Sequence, residues 1–136
     1  MIYAVIDTNV LVSALFTSNV EAATVKVLDA LLQEKIIPLY NEEIYDEYVE
    51  VLSRPKFHFP RTIVNKYLKA IRDLGVKAER VSSQENFLDM DDIVFYEVAM
   101  SKEDAYLVTG NTKHFPKSPI VVTPAEMMQI ILALRE

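Results

Sequence analysis

The run Ile2-Tyr3-Ala4-Val5-Ile6-Asp7-Thr8-Asn9 at the start of the chain constrains the fold more than any other stretch. A short apolar segment, rich in β-branched residues and stopping at an acid, reads as a buried central strand. Asp7 then stands where the strand ends and a turn begins. In open α/β sheets, ligands bind in the crevice at the carboxyl ends of the strands. An acid placed there is poised for chemistry if other acids join it.

The rest of the chain supplies the partners of that strand. Val10 to Phe16 reads as a short helix, broken around Thr17-Ser18-Asn19. Asn19 or Ser18 can cap a longer helix from about Val20 to Glu34, whose apolar positions follow the helical period. Ile36 to Tyr40 is a second strand, and its Pro38 suggests an edge-tolerant position. Asn41 caps a helix to about Leu52, closed by Arg54-Pro55. Arg61 to Leu74 is helical, with Pro60 at its start and Gly75 at its end. Val76 to Val81 alternates like a third strand, Ser82 to Met90 is a polar loop, and Asp91 to Met100 is a helix. Ala105 to Thr109 is a buried strand followed by the turn Gly110-Asn111-Thr112. Ile120 to Thr123 is the last strand, and Pro124 opens a helix to about Leu134. Strands alternating with helices imply an α/β fold with a parallel sheet covered on both faces.

Composition narrows the function classes. With 136 residues, about half of them hydrophobic, residues 1–136 are expected to form a single domain. Only two glycines and six prolines argue against a linker or a disordered tail. The absence of cysteine excludes a disulfide framework and a zinc–thiolate site, and suits a reducing cytoplasmic setting. The apolar opening lacks the basic start and small-residue cleavage site of a signal peptide, and no apolar run is long enough to cross a membrane. The net charge of −6 counts against phosphate-driven nucleic-acid binding unless the acids are gathered in one pocket to hold cations.

Four places supply groups for such a pocket. Asp7 is the first, with helix capping as the competing role. In the helix from Glu42, residues Ile44, Tyr48, Val51 and Leu52 form one apolar arc, continued by Tyr45 and Val49. Glu47 is the acid closest to the edge of that arc, whereas Glu43, Asp46 and Glu50 point further into solvent. Glu42 and Glu43 are explained by the helix dipole alone. The third place is Asp89-Met90-Asp91-Asp92. One cap suffices for a helix, and three like charges repel unless something positive lies between them. Asp92 lies furthest into the helix and is least needed for capping. The fourth is Asn111, two residues past Thr109 at another strand end, where turn formation is the competing role. Together these make an acidic cluster with no matching group of Lys or Arg. A divalent cation is the physical remedy, and hard oxygen ligands suit Mg²⁺ or Mn²⁺.

Ile-Asp-Thr-Asn-Val-Leu-Val-Ser (6–13), Glu47 in Glu-Tyr-Val-Glu-Val-Leu-Ser-Arg-Pro-Lys, Asp-Met-Asp-Asp (89–92) and Leu-Val-Thr-Gly-Asn (107–111) resemble PIN domains over nearly the whole chain. The nearest group is the toxin component branch of toxin–antitoxin systems, related to VapC-type toxins. The resemblance implies a three-layer α/β/α sandwich on a central parallel sheet of about five strands, ordered 3-2-1-4-5. It implies a Mg²⁺- or Mn²⁺-dependent endoribonuclease using one or two ions, with Asp7, Glu47 and Asp92 as metal-binding acids and Asn111 beside them. Activated water would attack phosphorus in single-stranded RNA, leaving a 3′-hydroxyl and a 5′-phosphate. Thr8, Asn9, Ser13 and Thr109 would position the acids or the substrate, and Asp89 and Asp91 would support from outside the ligand set. The implied partners are RNA, an antitoxin protein and a second copy of the chain in a homodimer. Many members carry Asp where this chain has Asn111, which bears on the second ion.

Two other readings stand beside this one. A receiver domain would want a Lys after the last strand, where this chain has Thr123-Pro124-Ala125. A noncatalytic module that keeps its acidic pocket for binding is left open by Asn111. His58 and His114 are too few for a histidine metal site, and His114 reads as structural or solvated. Arg54-Pro55-Lys56-Phe57-His58-Phe59-Pro60-Arg61 either meets RNA through cations and stacking or is a connector with inward-packed aromatics, and the second reading is favoured. Met127, Met128, Ile130, Ile131 and Leu134 form a terminal stripe for core or dimer contact.

Overall fold

The structure is a computed structural model that describes residues 1–83 and 90–134. Its centre is β1 (Ile2–Ile6), flanked by β2 (Ile36–Tyr40) and β4 (Tyr106–Val108), with β3 (Val76–Lys77) and β5 (Val121–Val122) at the edges. The order is 3-2-1-4-5 and every pairing is parallel, with Ala4 opposite both Pro38 and Tyr106. The sheet is flanked by six helices: α1 (Thr8–Phe16), α2 (Ala23–Leu32), α3 (Glu42–Leu52), α4 (Arg61–Leu74), α5 (Met90–Met100) and α6 (Pro124–Ala133). Helix α2 packs on α1 and α6, α3 packs on α4 and α5, and α5 lies against β1, β2 and β4. Ala4, Val5, Ile6, Leu107 and Val108 are accordingly buried, as expected of strands covered on both faces.

Several boundaries differ from the sequence reading, each for a local reason. Helix α2 starts at Ala23 rather than Val20, because Asn19 turns its Oδ1 to the Glu21 amide (3.0 Å) and holds a turn instead of capping a helix. Val20 is left exposed. The third strand pairs for two residues, not six. Its partner β2 ends at Tyr40, and Asn41 then caps α3 by accepting from the Ile44 amide, so no ladder remains for a longer strand. After a last bond from Ala78 N–H to the Tyr40 carbonyl, the chain swings to α5, where Val81 N–H meets the Glu97 carbonyl. On α3, Ile44, Tyr48 and Leu52 are buried as the arc predicts, but Val49 is exposed. On α6, Met127 and Ile131 enter the core whereas Leu134 is exposed.

Pro38 lies in an internal strand rather than at an edge. The proline is tolerated because the ladder to β3 begins one residue later, at Leu39 opposite Val76. Gly75 makes this junction work. A Cβ there would fall 2.2 Å from the Ile71 carbonyl oxygen and 2.7 Å from that of Pro38, both backbone atoms that cannot step aside. Gly75→Ala is therefore expected to destabilise the fold by roughly 2–3 kcal/mol. A lower urea midpoint at unchanged m-value would show it; an unaltered midpoint would contradict this account of the α4–β3 junction.

Candidate active site

The chain lays down β1, β2 and β3 to one side and returns to the other with β4, so the strand order reverses between β1 and β4. That reversal opens a crevice at their carboxyl ends. Ile6 pairs with Val108, which sets Asp7 and Thr109 side by side. Thr109, fully buried, donates its hydroxyl to Asp7 Oδ2 at 2.7 Å and accepts from the Asn111 amide at 3.0 Å. Asp7 occupies the N-cap of α1, yet its side chain makes no capping hydrogen bond. Its carboxylate faces the crevice instead. Burial raises the Asp7 pKa above the ordinary 3.8, against the pull of the Thr109 hydroxyl, the Asn9 and Thr8 amides and the His114 charge.

Helix α3 brings Glu47 to the same place. Thr8, buried at the first turn of α1, donates its hydroxyl to Glu47 Oε2. Half-burial raises the Glu47 pKa, Thr8 lowers it, and the charges of Asp7, Asp91 and Asp92 raise it further. Three acids remote in sequence are therefore felt by one carboxylate. Beneath them, Tyr48 donates to the Ile6 carbonyl at 2.5 Å, and its own pKa is pushed well up by burial and by Asp7 and Glu47. Sequence reasoning placed Tyr48 in the apolar arc without seeing that its hydroxyl ties α3 to the end of β1.

The charges of Asp91 and Asp92 reach Glu47 from α5. Asp91 and Asp92 lie in the first turn of α5, with Asp91 exposed and Asp92 partly buried. His114 sits across from them, its Nδ1 3.5 Å from Asp92 Oδ2, an ion pair when the imidazole is protonated. Its place in the site was missed, because only the chain path past β4 sets it opposite α5. Asn111 is exposed and precedes the short 3₁₀ turn Thr112–His114, to which its side chain gives no cap. Asn9 and Ser13 are exposed one helical turn apart on α1. Asp89 lies outside the described residues. A shallow groove lined by Lys113, Phe115 and Lys117 adjoins the same strand ends.

Glu97 is a second buried acid that the sequence reading passed over. Arg80 Nε donates to its Oε1 at 2.7 Å, Ser83 N–H meets its Oε2, and Arg80 also reaches Glu43 at 3.0 Å. This network joins its acid to a guanidinium, whereas Asp7 and Glu47 are met by threonine hydroxyls. A lone acid within Ile93-Val94-Phe95-Tyr96-Glu97-Val98-Ala99 was the available signal.

The donor chemistry of the basin fits a hard divalent cation. Its acids are carboxylates only, and Thr109 and Thr8 each take one oxygen, leaving acceptor capacity on both. Among the described residues, however, no three His, Asp or Glu side chains already stand as a ready-made ion site. The carboxylates would have to draw in around a bound ion.

The five-stranded parallel sheet ordered 3-2-1-4-5 with helices on its faces is consistent with a PIN-like fold. The chain belongs to the PIN domain family, whose model, described as PIN domain, matches residues 3–113. PIN domains are generally nucleases, and such nucleases typically use divalent metal ions. A search of curated proteins found no match. No helix among the described residues is long and apolar enough to cross a membrane.

The raised pKa of Asp7 makes its ionised form a cost to folding. Below the ordinary value of 3.8 both folded and unfolded states are protonated and the cost is absent; it is complete once pH passes the folded pKa. Asp7→Asn is therefore expected to raise the melting temperature at pH 7. The gain should vanish as pH falls towards 3.8. A variant less stable than the parent at pH 7 would contradict this.

Proposed function

We propose that the protein is a Mg²⁺- or Mn²⁺-dependent endoribonuclease acting on single-stranded RNA, the toxin of a toxin–antitoxin pair, working in the cytoplasm with residues 1–136 as one domain. The observation that carries the reading is the electrostatics of Glu47, whose carboxyl is raised by burial and then by Asp7, Asp91 and Asp92 together. Among the described residues no Lys or Arg is ion-paired to Asp7 or Glu47, and a cation would relieve the crowding they feel. Asp7, Glu47 and Asp92 would hold that ion. When bound, it would supply Lewis-acid stabilisation of the developing charge on phosphate and activation of water.

The protein's own residues prepare the site. Thr109 and Thr8 fix the orientation of Asp7 and Glu47 through their hydroxyls. Tyr48 anchors α3 to the end of β1, so that Glu47 cannot drift from Asp7. Asn111, neutral and exposed, offers an amide to a phosphate oxygen or water at the rim, and its lack of charge favours one tightly held ion over two. A noncatalytic binding module is the second reading, favoured by Asn111 and by the absence of a ready-made three-ligand site among the described residues. The antitoxin and homodimer partners belong to the proposal on the strength of the family branch alone.

Purified protein should cleave single-stranded RNA with Mg²⁺ or Mn²⁺ and stop on addition of EDTA. Glu47→Gln and Asp92→Asn should each cut kcat by more than about 100-fold, beyond the roughly 10–100-fold typical of losing a supporting group such as the Thr109 hydroxyl. Cleavage that survives in these variants would remove the site from the reaction. Ion binding by calorimetry without any cleavage would favour the binding module.

A further inference from the structure

In the connector between α3 and α4 both aromatics are half-buried and Phe59 packs against the core, as the favoured reading of its sequence expects. Phe57 and Phe59 stack on one another with ring centroids 5.1 Å apart and planes within 12°. His58 between them takes a left-handed backbone (φ 53°), curling the chain so that the flanking rings meet face to face. Phe16, at the far end of α1, packs edge-on to both at 5.7 and 5.6 Å and is 63 % exposed. The cluster therefore runs from the core at Phe59 to solvent at Phe16.

Residues 51–72 contain six of the chain's 14 lysines and arginines and none of its 20 acids, and of these six Lys69 and Arg72 pair with Asp73 and Glu42 away from the cluster's own connector. Arg54 is held by Glu50 at 2.7 Å, whereas Lys56 and Arg61, both exposed, have no carboxylate partner among the described residues. Lys56 lies over the Phe57 ring at 5.2 Å.

The cluster is joined to the acid basin by α1. Asn9, Ser13 and Phe16 are exposed on one stripe of that helix, spaced by four and three residues, and α1 carries no charged side chain. From Thr8 to Phe16 the helix rises about 12 Å, a distance that a few nucleotides of extended single strand cover. An uncharged polar track thus runs from the carboxylates to an aromatic, cation-flanked platform.

We propose that the exposed ring of Phe16, backed by Phe57 and flanked by Lys56 and Arg61, forms a base-stacking subsite that holds single-stranded RNA a few nucleotides from the scissile phosphate. The proposal rests on the ribonuclease reading and names how its substrate is gripped. A base stacks on the exposed Phe16 ring regardless of sequence, and the cations take the neighbouring phosphates. A protein segment or a second copy of the chain would use the rings but has no need of the track to the basin.

The test uses the full-length protein in EDTA, so that nothing is cleaved, with a fluorescent single-stranded RNA of about 12 nucleotides followed by anisotropy. Phe16→Ala should weaken binding roughly tenfold, the size of one lost base–aromatic stack, and Phe57→Ala, which removes the support of that ring, should weaken it in the same direction. Lys56→Ala with Arg61→Ala, a surface change that leaves the core alone, should lower the slope of log affinity against log salt by about 1.4, about 0.7 per phosphate contact. With metal restored, cleavage of a dinucleotide, too short to reach the platform, should be unchanged in all these variants. Unaltered RNA affinity and salt slope in folded variants would overturn the subsite and leave the nuclease reading standing. So would variants whose only change is a shift in oligomeric state by ultracentrifugation, which would make the patch a protein-binding face. A parent protein that neither binds nor cleaves RNA would overturn both.

Discussion

The hydrogen bond from Thr109 to Asp7 closes a loop of 102 residues, and the arrangement of the basin depends on it. It spans the one seam of the sheet where the chain has been everywhere else in between. Because β1 and β4 pair in register through Ile6 and Val108, the two residues that follow face each other without further adjustment. Thr8 to Glu47 and Tyr48 to the Ile6 carbonyl then pin α3 on the other flank. Three hydroxyls therefore do the positioning while the carboxylates keep their charge for something else.

That arrangement opposes stability. Asp7 and Glu47 both have raised pKa values, chiefly from burial, and so are held in a form the fold would shed if it could. The contrast with Glu97 is instructive. Glu97 is as buried as Asp7 but is met by Arg80 and the Ser83 amide, which makes it a structural clasp between the chain after β3 and α5. Two buried acids in one small protein thus follow opposite rules, one satisfied and one left electrostatically short. A site that tolerates such a shortfall is where chemistry is most economically sought.

The fold was legible where local pattern and global packing agree. The run Ile2–Ile6 announces a central strand, and Gly75 and Asn41 punctuate helices as their chemistry dictates. The strand order came from family likeness rather than periodicity. Errors arose where tertiary context decides: Asn19 made a turn rather than a cap, and Val76–Val81 alternated like a strand that β2 was too short to receive. Within the site, Asp7 and Glu47 could be singled out because their neighbours are apolar at fixed spacing. The pairing of Thr8 with Glu47, the Tyr48 tether and the approach of His114 to Asp92 depend on how separate elements meet, which no local pattern records. The Phe57–Phe59 stack turns on one left-handed residue, equally invisible beforehand.

The sheet edges carry a further consequence. Both outer strands, β3 and β5, are two-residue stubs, and β3 ends in Lys77. A stub offers too few open amides and carbonyls for a foreign strand to zip onto, and a lysine there raises the penalty. Association of this chain with another, of whatever kind, is therefore steered away from backbone annealing and onto its helical and loop surfaces. The same shortness guards a molecule with a very apolar sheet against growing into fibrils.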